Sequence, residues 1–147
     1  MSQETVTQFF ARDHDRLEDL FAQFRGLKSR DLPAATVVFR RFQRGLLKHL
    51  GLEDEIMFPM YEARAGTGGQ QPLDRMHEEH RRIEELVAAL NEKVGRQDLA
   101  TEPEESKLES LLTRHHHGEE IVVYPLIDDT LSDADRERLF ARIGERL

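Results

Sequence analysis

The chain of 147 residues contains no cysteine, which excludes disulfide frameworks, thiolate zinc sites, iron–sulfur clusters and covalently attached haem. Any metal it holds must be bound through nitrogen and oxygen. Basic charge is also scarce: 21 Lys and Arg stand against 29 Asp and Glu, a net charge of −8 that repels nucleic acid and anionic lipid. No stretch gathers Lys and Arg free of acids, and Arg40, Arg41 and Arg44 read as the solvated face of a helix. Long apolar runs are missing as well, and the polar Met1 to Gln8 stretch lacks the basic start and apolar run of a secretory signal. The expectation is a cytoplasmic protein with neither a membrane nor a nucleic-acid partner.

Strand patterning is nearly absent too, because apolar residues recur at three and four rather than at two. The length suits one domain with a full core. Breaks at Ser29 to Pro33, Gly66 to Pro72, Gly95 to Pro103 and Leu131 to Asp133 divide the chain into long helices. They give a first helical hairpin over 1–66, a second over 67–131 and a short C-terminal helix over 132–147. The fold class expected is all-α: an up-and-down four-helix bundle built from two duplicated hairpins, with the extra helix packed outside or at one end. Asp31 or Ser29 can cap the second helix, with Pro33 in its first turn; Thr101 with Pro103 can start the fourth, and Ser132 can cap the last. Pro59 and Pro125 fall inside helical patterns, where each should kink its helix.

Shifted against itself by 66 residues without a gap, the chain sets His14 on His80, His49 on His115, Glu53 on Glu119 and Pro59 on Pro125. Asp13 to Leu20 lies over Glu79 to Leu86, and Ile56 to Met60 over Val122 to Leu126. Two copies of one hairpin, related by a pseudo-twofold axis, account for this match.

The histidines and glutamates of the repeat fall on apolar seams. The first seam runs Phe10, His14, Leu17, Phe21, Phe24, and the third Met76, His80, Ile83, Val87, Leu90. The second runs Phe42, Leu46, His49, Glu53, Ile56, Met60, and the fourth Leu108, Leu112, His115, Glu119, Val122, Leu126. Four histidines and two glutamates thus face one interior, where an uncompensated carboxylate costs several kcal/mol. Direct ion pairs could compensate it, but the i, i+4 spacing in both halves aims imidazole and carboxylate at a common point. That ligand set suits iron, manganese or zinc. Two ions sharing two bridging carboxylates would neutralise the charge and leave a coordination position for a small exogenous molecule.

The pattern His14, His49-x-x-x-Glu53, His80, His115-x-x-x-Glu119, with a proline after each pair, resembles the hemerythrin-like, or HHE cation-binding, domains, from about Phe9 to Asp128. The resemblance implies a non-haem centre of two iron ions, oxo- or hydroxo-bridged, with Glu53 and Glu119 as the bridges. It further implies binding of dioxygen or a related small ligand for storage, delivery or sensing. The alternative is an iron-handling, peroxide- or nitric-oxide-detoxifying protein, so enzymatic activity is left open.

The sequence departs from the classical oxygen carriers of that family in two places. Their fifth histidine is replaced here by Met76, with His77 one residue later as a possible additional metal ligand. Their aspartate, five residues after the fourth-helix histidine, is replaced by Glu119 at four. The run His115-His116-His117 also permits a second pair, His116 with Glu120, although the repeat and the seam favour His115 with Glu119. Asp54, Glu55 and Glu120 fall off the seams and read as solvated; Tyr61 and Tyr124 read as packing residues.

Overall fold

The computed structural model describes residues 3–147, so the first two residues of the polar Met1 to Gln8 stretch lie outside the described residues. Among those described, the chain is helical throughout and has no strand. Helix α1 (Val6–Leu27) begins at a capping box in which Thr5 and Gln8 satisfy each other's backbone amides. Helix α2 (Leu32–Leu52) is capped by Asp31, which accepts from the Ala34 amide, with Pro33 in the first turn as expected. Helix α4 (Gln71–Gly95) and helix α5 (Glu102–Gly118) follow the second hairpin's seams. Thr101 precedes α5, but its hydroxyl donates to the Glu105 carboxylate and to the Leu99 carbonyl and caps no amide of the helix.

Helices α2 and α5 both end several residues before the prolines. Each runs on through a single π-helical segment, Glu53–Met57 and Glu119–Val123, into the short helices α3 (Phe58–Ala65) and α6 (Tyr124–Thr130). The amides of Phe58 and Tyr124 bond five residues back, to the carbonyls of Glu53 and Glu119. The widened turn shifts the hydrogen-bond register just where Pro59 and Pro125 have no amide to offer. One residue has in effect been added to the turn, and the seam moves with it. Val122, expected in the core, is 58% exposed, while Val123, Tyr124 and Ile127 are buried.

Aromatic pairs show how the helices run. Phe10 meets His49, Phe21 meets Phe42 and Phe24 meets Phe39, so numbers rise along α1 as they fall along α2, and the pair is antiparallel. His80 facing His115 and Lys93 bonding Glu104 show the same for α4 and α5. Arg25 bonding Glu105 and the Val6 amide bonding Asp128 show it for α1 against α5 and α6.

Two apolar clusters fill the interior. One holds Phe10, Met57, Phe58, Leu73, Tyr124 and Ile127; the other holds Leu17, Phe42, Leu46, Ile83, Val87 and Leu112. Along α1 the two clusters are separated by His14, and along α4 by His80. A polar layer therefore lies between two greasy ones.

Gly45 sits where α2 approaches α1: a Cβ there would come within 2.9 Å of Leu17 Cδ2, and Leu17 is fully buried. Gly45→Ala should gain about 1 kcal/mol of helix propensity yet lose about 1–3 kcal/mol to overpacking. The expected net result in urea unfolding is a lower midpoint with an unchanged slope.

Helix α7 (Asp133–Arg146) starts at the expected Ser132, in a capping box with Asp135. Its Leu139 and Ile143 are buried in the cluster that holds Phe10 and Tyr124. The Ser132 backbone and the Arg64 guanidinium hold the Asp135 carboxyl down to about 2. A depressed carboxyl contributes stability above its unfolded value and loses it as pH falls through the folded one. The destabilisation caused by Asp135→Asn should accordingly be full at neutral pH and shrink between about pH 4 and pH 2, as read by urea midpoints of the two proteins across that range.

Candidate metal centre

The polar layer is a cage. His14, His49, Glu53, His80, His115 and Glu119 all meet there, each almost wholly buried. The Nε2 atoms of His14 and His49 lie 3.1 Å apart, and His14 Nε2 is 3.1 Å from Glu119 Oε1. On the other side, His80 Nε2 is 3.3 Å from Glu53 Oε1, and His115 Nε2 is 3.3 Å from Glu119 Oε1. These donors fall into two groups, His14 with His49 and Glu119, and His80 with His115, Glu53 and Glu119. Glu119 belongs to both, and Glu53 reaches across to within 3.5 Å of His49 Nε2.

Each imidazole is held from behind. Nδ1 of His14 donates to Glu120 at 2.7 Å, that of His49 to Asp13 at 2.8 Å, that of His80 to Asp54 at 2.8 Å and that of His115 to Glu79 at 2.8 Å. With Nδ1 carrying the proton, the Nε2 lone pair is turned inward, the tautomer and orientation that metal-ligating histidines take. The supporting carboxylates obey the same shift of 66: Asp13 matches Glu79, and Asp54 matches Glu120. Asp54 and Glu120 are therefore not the solvated residues expected from their place off the seam. Glu55 is solvated as expected, pairing with Arg146.

Tyr124 also departs from its expected role as a packing residue. Its fully buried hydroxyl donates to Glu53 Oε2 at 2.6 Å and lies 2.9 Å from Glu119 Oε1, 3.1 Å from His14 Nε2 and 3.4 Å from His49 Nε2. The π turn explains this, since it brings residues five apart onto one face, here Glu119 and Tyr124. Tyr61 is buried in the apolar cluster, as expected.

The remaining histidines sit outside both groups. His77 is 45% exposed, with Nδ1 3.2 Å from Asp54 Oδ1. Met76, one residue before it, points into the core. His116 stacks on His14 at 3.7 Å between ring centroids and faces Glu18, and His117 is exposed. Burial, then the neighbouring His14, push His116 down to about 2, so it stays neutral. A groove lined by Asp13, Arg16, Arg44, Lys48 and His49 reaches this side of the cage from solvent.

Four buried atoms in the cage have no hydrogen-bond partner: Glu53 Oε1, His80 Nε2, His115 Nε2 and Glu119 Oε2. A protein does not leave buried lone pairs unmatched without a reason, and lone pairs of imidazole and carboxylate converging on one point are what a divalent cation accepts. The donor set thus fits a metal.

Residues 5–127 match the family model of the hemerythrin HHE cation binding domain. The chain belongs to this family. No curated protein and no solved structure matches it.

For a hemerythrin HHE domain, then, cation binding is the shared property, and the buried groups just described are where this chain can provide it. The same residues set the charge balance of the cage. Burial pushes the Glu53 carboxyl up, and so does the charge of Glu119 beside it. Burial works on Glu119 in the same direction, but the Glu53 carboxyl beside it and the imidazoles of His115 and His14 outweigh it and hold that carboxyl well below its usual range. Burial alone would keep the imidazoles neutral. Asp54 and the two buried glutamates nevertheless push His80 up to about 12, and Glu119 with Glu79 push His115 up to about 9. Protons therefore compete with a cation for the same lone pairs.

Proposed function

We propose that the cage holds two iron ions, one between His14 and His49 and one between His80 and His115, bridged by Glu53 and Glu119. In this reading the protein binds dioxygen or a related small ligand. The observation that carries it is the convergence of four unpartnered buried donor atoms, backed by four histidines each held through Nδ1 by a carboxylate. The antiparallel neighbours and the repeat support an up-and-down four-helix arrangement around that cage. Iron bound there would supply a redox-active Lewis acid with a position open to a small molecule. The chain itself would fix imidazole orientation through Asp13, Asp54, Glu79 and Glu120, and exclude water with the apolar layers above and below.

A second reading, redox turnover of peroxide or nitric oxide, is favoured by one specific feature. Met76 occupies the place of the carriers' fifth histidine, and His77 is turned towards Asp54 and solvent. We accordingly leave His77 out of the proposed ligand set.

Anaerobic reconstitution with ferrous iron, followed by visible spectra on adding and then removing oxygen, separates the two. A band that appears and reverses supports the first; an irreversible change supports the second. A chain that takes up no iron would end both.

A further inference from the structure

The two halves of the cage differ at the residue that follows each π turn. Phe58 and Tyr124 are partners under the shift of 66, and they occupy equivalent places: Phe58 stacks on His80 at 5.9 Å, Tyr124 on His14 at 5.6 Å. Both are fully buried. Only one of them carries an oxygen.

That oxygen sits among donor atoms. Ligands held about 2.0–2.2 Å from a common ion are separated from one another by about 2.8–3.5 Å. Tyr124 Oη lies 2.9 Å from Glu119 Oε1, 3.1 Å from His14 Nε2 and 3.4 Å from His49 Nε2. It therefore completes a four-donor group with His14, His49 and Glu119, matching in number the group of His80, His115, Glu53 and Glu119 on the other side. A phenolate is a recognised ligand of iron.

Resting on the two-metal reading above, we propose that Tyr124 Oη is a seventh protein ligand, bound to the metal held by His14 and His49. The metal held by His80 and His115, which faces Phe58, then keeps the position open to an exogenous molecule. Binding is a simple exchange: the phenol O–H bond breaks, an oxygen–metal bond forms, the proton leaves to solvent, and no electron is transferred. The cage would be symmetric in its histidines and glutamates and asymmetric in this one bond.

The chain has two tyrosines, Tyr61 and Tyr124, which makes the test clean. The protein is loaded with ferric iron, and metal per chain, the visible spectrum and resonance Raman scattering are measured for wild type, Tyr124→Phe and Tyr61→Phe. The expected result is a phenolate-to-iron band in wild type and Tyr61→Phe, and its complete loss in Tyr124→Phe at undiminished iron content. Uptake of metal by wild type should also release one proton more than uptake by Tyr124→Phe. Ring-deuterated tyrosine in the wild type should move the enhanced vibrations, a check that needs no substitution. Two irons bound with no phenolate band, or a band that survives Tyr124→Phe, would overturn the proposal while leaving the metal centre standing. No iron bound by wild type would overturn both.

Discussion

Glu119→Ala should abolish the paired centre, leaving metal content at one ion per chain or none. Glu119 is the one residue shared by both donor groups, and it is fully buried with contacts to His14, His80, His115 and Tyr124. In the proposed two-ion cage its removal would take a ligand from each ion at once and leave Glu53 as the one bridging anion to offset two cations in a low-dielectric layer. Asp54→Ala should behave differently. Asp54 touches the cage through His80 Nδ1 and also faces the exposed His77, and loss of such a support weakens metal binding by about 10–100-fold without removing a ligand. Titration of the metal-free proteins, read as ions bound at saturation and as midpoint concentration, separates the two effects. Glu119→Ala should change the stoichiometry, and Asp54→Ala should change the midpoint alone.

Stripping the metal should reverse the way stability responds to pH. In the metal-free cage the buried glutamates are balanced by protons on the imidazoles, with His115 raised to about 9 and His80 to about 12. A raised histidine contributes stability that is complete below its unfolded value, about 6.5, and that is lost as pH climbs through the folded one. Between about pH 6.5 and 9 the His115 contribution disappears, so the metal-free protein should melt at a lower temperature at pH 9 than at pH 6.5. In the loaded protein the imidazoles must already be deprotonated, and each proton displaced makes binding tighter as pH rises. The difference in melting temperature between loaded and metal-free protein should widen from pH 6.5 to 9. A difference that narrows over that range would mean protons and metal do not share these lone pairs.

Much of the site is legible in the residues because the chain repeats itself. The shift of 66 isolates the six cage residues without any structure, and helical periodicity puts them on inward seams. Along α1 and α4 those seams hold throughout: Phe10, His14, Leu17, Met76, His80 and Ile83 are all buried. Past Glu53 and Glu119 the same reasoning loses its register for one physical cause: Ile56 is still buried, but Met60 and Leu126 are half-buried and Val122 is exposed. A seam drawn at a steady α-helical period assumes that no residue is inserted, whereas a π turn inserts one. Val122 is thereby carried to the surface and Tyr124 into the cage.

Repetition itself also hid a residue. Tyr124 stands opposite Phe58, so a search for matched chemistry passes over it. Asp54 and Glu120 read first as solvated, with support of a ligand as the lesser alternative, because they reach the cage from its flank, through the far nitrogen of a histidine, and a seam records only what points at the core. The signal was there, since Asp13 with Glu79 and Asp54 with Glu120 each place acids at matching positions beside the histidines and glutamates of the cage. The pairing of each acid with one imidazole depends on how neighbouring helices meet, which a single chain's periodicity does not contain.

The most direct test of the two-metal cage is native mass spectrometry of the protein loaded with ferrous iron without oxygen, with Glu119→Ala alongside. Wild type should carry two ions per chain, and the variant should show no doubly loaded species. Wild type that saturates at a single ion, or a Glu119→Ala chain that still holds two, would contradict it.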